Sequence, residues 1–411
     1  MRTLHFCLLA GLFISLTACA SRTDSNADAP ADTLRVMMYN IEDIRTADVR
    51  RSDHPRLRRA AARIQHLRPD ILLINEMTYD QPGAPGYREG RRAGENARRF
   101  ASNYLAHPQA DSLAALRYTP VMLPSNTGRP SGLDLDNNGE VVSTIPTVPE
   151  PTSDGGVAPQ TRAGRDYGGD AWGFGTFPGQ YSMALFVRQD LTVLRHSIRT
   201  FRLLRWASMP DALAPVDSVT GTPWYSDDEW EQMRLSSKSH WDVPVRLATG
   251  DTLHVLASHP TPPVFDGAAD RNGRRNHDEI RLWADYLDNA TYIRDDSSRA
   301  GGLAPGASFV IMGDQNADPD EGDGRPGAIQ QLLDHPRVQD PQPVAPQSAQ
   351  AAFPSLKPEA TSRFGMRIDY VLPAAHLRVL QSGVWRPHGA EAADPPVSDH
   401  FPVWVDLAMD R

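Results

Sequence analysis

The chain has 411 residues, of which 40% are hydrophobic, 23% charged and 8% aromatic, so a wholly disordered or fibrous protein is excluded. Its length accommodates one large domain or two ordinary ones, with a sizeable core in either case. The formal net charge of −9 argues against a sequence-tolerant DNA-coating role, which needs a basic surface, but leaves room for an enzyme that handles phosphoesters in a local basic pocket.

Residues 1–18 read as a signal peptide. Arg2 precedes an apolar run from Phe6 to Leu16 that is too short to span a bilayer as a helix, which takes about 20 residues. The run ends in Leu16-Thr17-Ala18-Cys19, which resembles the lipobox of bacterial lipoproteins. That resemblance implies cleavage before Cys19, acylation of Cys19 and membrane attachment through it. Ala20, rather than Asp, in the next position implies the outer membrane of a diderm cell. The plainer alternative is an ordinary signal peptide with a chance cysteine near its end. The only other cysteine, Cys7, falls in the removed segment, so no disulfide framework is expected. Residues 19–32 read as the lipidated cysteine and a flexible tether, and 33–411 as a single domain.

Within that domain, short apolar runs each meet a polar residue. Leu34–Tyr39 leads into Asn40, Asp70–Asn75 into Glu76, Thr252–Ser258 into His259, and Ser308–Gly313 into Asp314. Met366–Leu372 carries Asp369, and Phe401–Leu407 follows Asp399 and His400. Leu57, Ala60, Ala61, Ile64 and Leu67 share one face of a predicted helix, whose opposite face, with Arg58, Arg59, Arg63 and Gln65, reads as solvated. A second helix is expected near 275–290, with Ile280, Trp283, Ala284 and Leu287 as its apolar stripe. Alternating strands and helices predict an α/β or α+β layered fold. Stretches near 80–170 and 207–237, rich in turn-forming residues, read as insertions.

The polar residues at the strand ends are carboxylates, amides and two histidines. Hard oxygens suit Mg²⁺, Mn²⁺ or Ca²⁺, and imidazoles exchange protons near neutral pH. No GxSxG, HExxH or Walker motif is present, so the inventory supports metal-assisted hydrolysis. Six segments then resemble the endonuclease/exonuclease/phosphatase superfamily, which includes DNase I-like nucleases, abasic-site endonucleases, inositol-phosphate phosphatases and sphingomyelinases. They are Tyr39-Asn40-Ile41, Ile74-Asn75-Glu76, Ser258-His259-Pro260, Gly313-Asp314-Gln315-Asn316-Ala317, Arg367–Leu372 and Ser398–Val403, in the family's order.

The resemblance implies a four-layer sandwich, two packed β-sheets flanked by helices, with the motifs at one end. It implies Glu76 as principal metal ligand, with Asn40 and Asp399 beside it, and Mg²⁺ as the expected ion. Asp314 and Asn316 would orient the attacking water and the phosphoryl oxygens. His400 would serve as general base or stabilise the phosphorane, with its tautomer held by Asp369. His259 and Tyr181 would contact the scissile phosphate. The substrate-setting loops do not match, so specificity does not carry over.

Three local features remain. Arg271, Arg274 and Arg275, with Lys238 and His240 before the preceding strand, are candidates for a basic pocket that holds substrate phosphate; a solvated loop is the alternative. Asp134–Glu140 starts like a calcium loop, but Ile145 occupies the twelfth position, so an ordinary Asp-Gly turn is the stronger reading. Asp318, Asp320, Glu321 and Asp323 read as a solvated acidic loop. The expected function is metal-dependent hydrolysis of small or lipid-linked phosphoesters by an exported, lipid-anchored enzyme, with no protein partner. A secreted nuclease and a non-catalytic surface-binding lipoprotein are the alternatives.

Overall fold

A computed structural model describes residues 33–150, 158–265 and 267–409. The expected signal peptide, Cys19 and the expected tether lie outside the described residues. Among the described residues, twelve strands build two six-stranded mixed sheets. The first contains β1 (Thr33–Ile44), β2 (Ile71–Met77), β3 (Tyr118–Val121), β4 (Met183–Arg188), β11 (Val379–Val384) and β12 (Val403–Ala408), in the order β11-β12-β1-β2-β4-β3. The second contains β5 (Thr192–Val193), β6 (Arg199–Thr200), β7 (Trp241–Arg246), β8 (Thr252–Ala257), β9 (Ser308–Asp314) and β10 (Asp369–Pro373). Its order is β10-β9-β8-β7-β5, with β6 also paired to β7.

Each sheet holds one parallel pair, β1–β2 and β8–β9, bridged by a crossover helix on its outer face, Pro55–Leu67 and Arg271–Leu287 respectively. Period-2 alternation assigns the side chains to layers. Val36 and Met38 of β1 join Val243, Val255, Val310 and Met312 between the sheets. Met37 and Tyr39 of the same strand pack with Leu57, Ala60 and Ile64 of the first helix. Ile280, Trp283 and Leu287 pack with Phe309, Ile311 and Leu372 outside the second sheet. The result is the expected four-layer sandwich. Among the described residues no helix is long and apolar enough to cross a membrane.

Two expectations change. Arg63 and Gln65 are buried, because tertiary partners reach the flanks of the first helix. Arg63 donates to the Tyr39 hydroxyl at 3.1 Å and lies over the Trp385 ring, and Gln65 donates to the carbonyls of Leu105 and His107. The stretch near 80–170 also supplies β3, an edge strand of the first sheet.

Candidate functional site

Strand register brings the site together. Parallel pairing sets Asn40 opposite Asn75, so the ends of β1 and β2 present Asn40 and Glu76 side by side. Parallel pairing of Ala257 with Met312 carries His259 past the end of β8 toward Asp314. Antiparallel pairing sets Asp369 directly opposite Asp314. β12 runs antiparallel to β1 with Met38 opposite Val403, so His400, just before β12, arrives over Asn40.

Contacts follow from this placement. Asn40 Nδ2 donates to Glu76 Oε1 at 3.1 Å and to Asp314 Oδ2 at 3.0 Å, and lies 3.5 Å from His400 Nε2. Asn40 Oδ1 accepts from the Glu42 N–H, so the turn after β1 and the site share one side chain. His400 Nδ1 is 2.8 Å from Asp369 Oδ2, which leaves Nε2 facing Asp314 and Asp399, each at 3.7 Å. His259 Nε2 is 3.4 Å from Asp314 Oδ2. Asn316 donates its N–H to Asp314 Oδ1 and its side-chain amide to the Pro260 carbonyl. Glu76, Tyr181 and Asn316 all hold left-handed backbone conformations, with φ of 67°, 56° and 51°, which L residues adopt at a cost of about 1–3 kcal/mol when structure overdetermines them.

Electrostatics match the geometry. Burial first, then the Asp399 carboxylate, pushes Glu76 up to about 7. Burial opposes charge on His400, but Asp369, Asp314 and Asp399 outweigh it and hold the imidazole well above its usual range. Burial would raise Asp314, yet His400 and His259 hold its carboxyl below the usual range. Burial, then the Lys238 ammonium, depresses His259 to about 4. Lys238 is itself buried and donates to the Pro260 carbonyl at 3.2 Å. Burial lowers its ammonium, against the opposing charges of Glu279, Glu76 and Asp314. Tyr181 accepts from the Gln160 side chain at 3.2 Å, and burial, then Asp43 and Glu76, raises its phenol.

The residues fit a divalent cation. Glu76, His259 and Asp314 each offer a ligand atom within 4.8 Å of the others. Asp399 adds a hard oxygen beside them, whereas the expected ligand Asn40 presents its amide Nδ2 here because its Oδ1 is held by the Glu42 N–H, and the charge concentrated on the carboxylates is what such an ion relieves. His259 Nδ1 and Asp369 Oδ1 are buried with no hydrogen-bond partner among the described residues.

The expected arginine pocket is not part of this cluster. Arg275 donates to the carbonyls of Leu235, Trp172 and Arg234, Arg271 to that of Leu135, and Arg274 to that of Ala214. The phase of the Arg271–Leu287 helix turns all three toward the segments near 135, 172 and 214–235, where they tie loops to the helix. His240 is also structural, buried between Ser236 and the Glu279 carbonyl. Of the expected basic residues, Lys238 alone reaches the centre. In the 134–140 loop, Asp134 and Asp136 accept backbone N–H groups of Asn138 and Gly139, as an Asp-Gly turn requires, and Asp170 lies beside them.

Several supporting residues carry no motif. Glu279 accepts from the Ser237 N–H and hydroxyl and from the Thr261 N–H, fixing the loops that hold Lys238 and His259. Asn276 donates to the carbonyls of Thr261 and Gln315, and Ser398 donates to the Asn40 carbonyl. The one sequence signal was two polar residues, Asn276 and Glu279, on the buried side of an amphipathic helix.

A sequence model described as the Endonuclease/Exonuclease/phosphatase family matches residues 39–400. Among solved structures, an endonuclease/exonuclease/phosphatase from Beutenbergia cavernae is similar at 17% identity, covering 92% of this chain and 72% of that one, with a TM-score of 0.48. A mannosyl-6-phosphatase from Bacteroides thetaiotaomicron is similar at 13% identity over 91% and 99% of the two chains, with a TM-score of 0.45. The human Nocturnin catalytic domain with bound sulfate is similar at 13% identity over 92% and 94%, also with a TM-score of 0.45. No curated protein matches the chain.

Proposed function

The chain belongs to the endonuclease/exonuclease/phosphatase family, and from that premise we propose that it hydrolyses small or lipid-linked phosphoesters with a divalent metal ion, Mg²⁺ first, as an exported enzyme anchored through Cys19. What supports the chemistry most is the 2.8 Å Asp369–His400 contact set beside Glu76, Asn40 and Asp314. Glu76 would hold the ion, with Asn40 and Asp399 beside it; when bound, the ion offsets negative charge that develops on the phosphoryl group. Asp369 accepts from Nδ1–H of His400 and so leaves Nε2 to hold or deliver a proton at the reacting phosphoryl group. Asp314 orients the attacking water, and Asn316 the phosphoryl oxygens. His259, Lys238 and Tyr181 supply donors to the scissile phosphate.

Small substrates are favoured over nucleic acid by the net charge of −9 and by the burial of Arg63, which removes it from any basic stripe on the first helix. The anchor is supported by Leu16-Thr17-Ala18-Cys19 and the outer membrane by Ala20.

The test is a panel of bis-p-nitrophenyl phosphate, inositol phosphates, sphingomyelin, RNA and plasmid DNA, with Mg²⁺, Mn²⁺, Ca²⁺ or EDTA. Metal-dependent turnover of a small or lipid phosphoester is expected, abolished in Glu76→Ala. Turnover of nucleic acid alone would establish the nuclease instead, and binding without any turnover would leave a surface-binding lipoprotein.

A further inference from the structure

At the same end of the sandwich, three half-buried arginines gather around one buried amide, Asn126. Asn126 Oδ1 accepts from Arg234 Nη1 at 2.5 Å, Asn126 Nδ2 donates to the Arg202 carbonyl at 2.7 Å, and the Asn126 carbonyl accepts from the Arg129 N–H at 3.1 Å. Register ties this group to the catalytic rim. Thr200 pairs with Trp241, which pairs with Ala257, two residues before His259. The Asn126 N–H donates to the carbonyl of Lys238, whose ammonium faces the centre.

The group lacks a matching negative charge. None of the three guanidiniums forms an ion pair among the described residues, and those of Arg129 and Arg202 make no hydrogen bond there either. Asp296 is the carboxylate that both Arg202 and Arg234 feel, and its oxygens already accept from the Thr200 hydroxyl and the Leu203 N–H at 2.7 Å each. Burial, then Arg202 and Arg129, pushes Arg234 down to about 10, so the repulsion of like charges adds to desolvation. Arg234 is held over the Trp172 ring at 4.7 Å, so its fork is oriented before any ligand arrives.

We propose that Arg129, Arg202 and Arg234 form an anion subsite that takes a second phosphate of the substrate, remote from the ester that is hydrolysed. Guanidinium forks match phosphate oxygens two at a time, and an anion there removes the mutual repulsion of the three. The assignment to substrate rests on the phosphoesterase reading; the anion site does not.

Calorimetric titration of the purified chain with inorganic phosphate in EDTA reads the subsite without the metal centre. Saturable binding is expected, weakened about tenfold or more in R129Q/R202Q, because the variant removes two charge-assisted donors. That double variant changes side chains that make no hydrogen bond or ion pair among the described residues, so the fold should be retained where R234Q could disturb Trp172. Absence of saturable binding, or equal affinity in the double variant, would overturn the subsite. In a second arm, R129Q/R202Q should lose kcat/KM on inositol bisphosphates while turnover of bis-p-nitrophenyl phosphate is unchanged. Equal losses on both would overturn the substrate assignment. Phosphate binding that is lost in the variant, in a protein that turns over no phosphoester, would support the subsite and sink the phosphoesterase reading.

Discussion

In the proposed reaction His400 works only while its ring is held, and Asp369 is the group in contact with its Nδ1. Asp369 is fully buried, its backbone N–H donates to the Thr361 hydroxyl, and its Oδ2 fixes the proton on Nδ1. Asp369→Asn keeps the shape and removes the charge, so kcat/KM should fall by about 10²–10⁴-fold with little loss of fold. Steady-state kinetics beside a thermal melt would check this, and near-normal activity would refute the dyad. Glu279 is a positioning residue of a different kind. Glu279→Gln turns an amide donor toward at least one of three donors, at a cost of about 1–3 kcal/mol in urea unfolding. It should also raise KM, because Lys238 and the Thr261 loop lose their common anchor; unchanged KM in folded protein would make its role purely structural. Sequence alone could single out Asp369 as a partner for His400 because its motif is local. It could not reveal Glu279, whose partners come from two distant loops. Nor could it tell that Arg275 would face backbone carbonyls rather than an anion, since both environments reward the same guanidinium.

Interior strands and edge strands differ in how much they write into the chain. β1, β2, β8 and β9 are interior strands, largely buried, and each holds an apolar stretch of several residues, so all four were legible. β3, β5 and β6 are short edges of four, two and two residues, and too little of each is buried to leave a pattern. The crossover helices were legible from their stripes, though the second starts at Arg271, four residues before the expected 275. Where β8 and β9 close on each other, Gly313 is required: its φ is +149°, and a Cβ there would lie 1.9 Å from the Ser258 carbonyl oxygen. Gly313→Ala should therefore push β9 away from β8 and displace the neighbouring Asp314, costing about 3 kcal/mol or more in stability. A melting temperature equal to wild type would show that the strands can part without strain.

Over the whole molecule, the same packing that excludes water from the sandwich also excludes protons from His240. Its Nδ1 is 2.6 Å from the Ser236 hydroxyl and its Nε2 is 2.9 Å from the Glu279 carbonyl, a pairing suited to the neutral ring with Nε2–H donating. Burial dominates, with the Glu279 charge opposing, and lowers the group from 6.5 to about 4. The sign follows from proton counting. Between pH 6.5 and 4 the unfolded chain binds a proton at this position that the folded chain refuses, so stability falls as pH drops through that window and is fully present above it. The shift corresponds to roughly 3 kcal/mol by pH 4, at about 1.4 kcal/mol per unit. Carboxylates titrate over part of the same range, so the comparison that isolates His240 is between wild type and His240→Asn, unfolded in urea at pH 7 and at pH 4.5. The variant should be less stable at neutral pH, having lost ring packing against Trp283, yet lose less on acidification than wild type. If both lose the same amount, the proton that drives acid unfolding binds elsewhere.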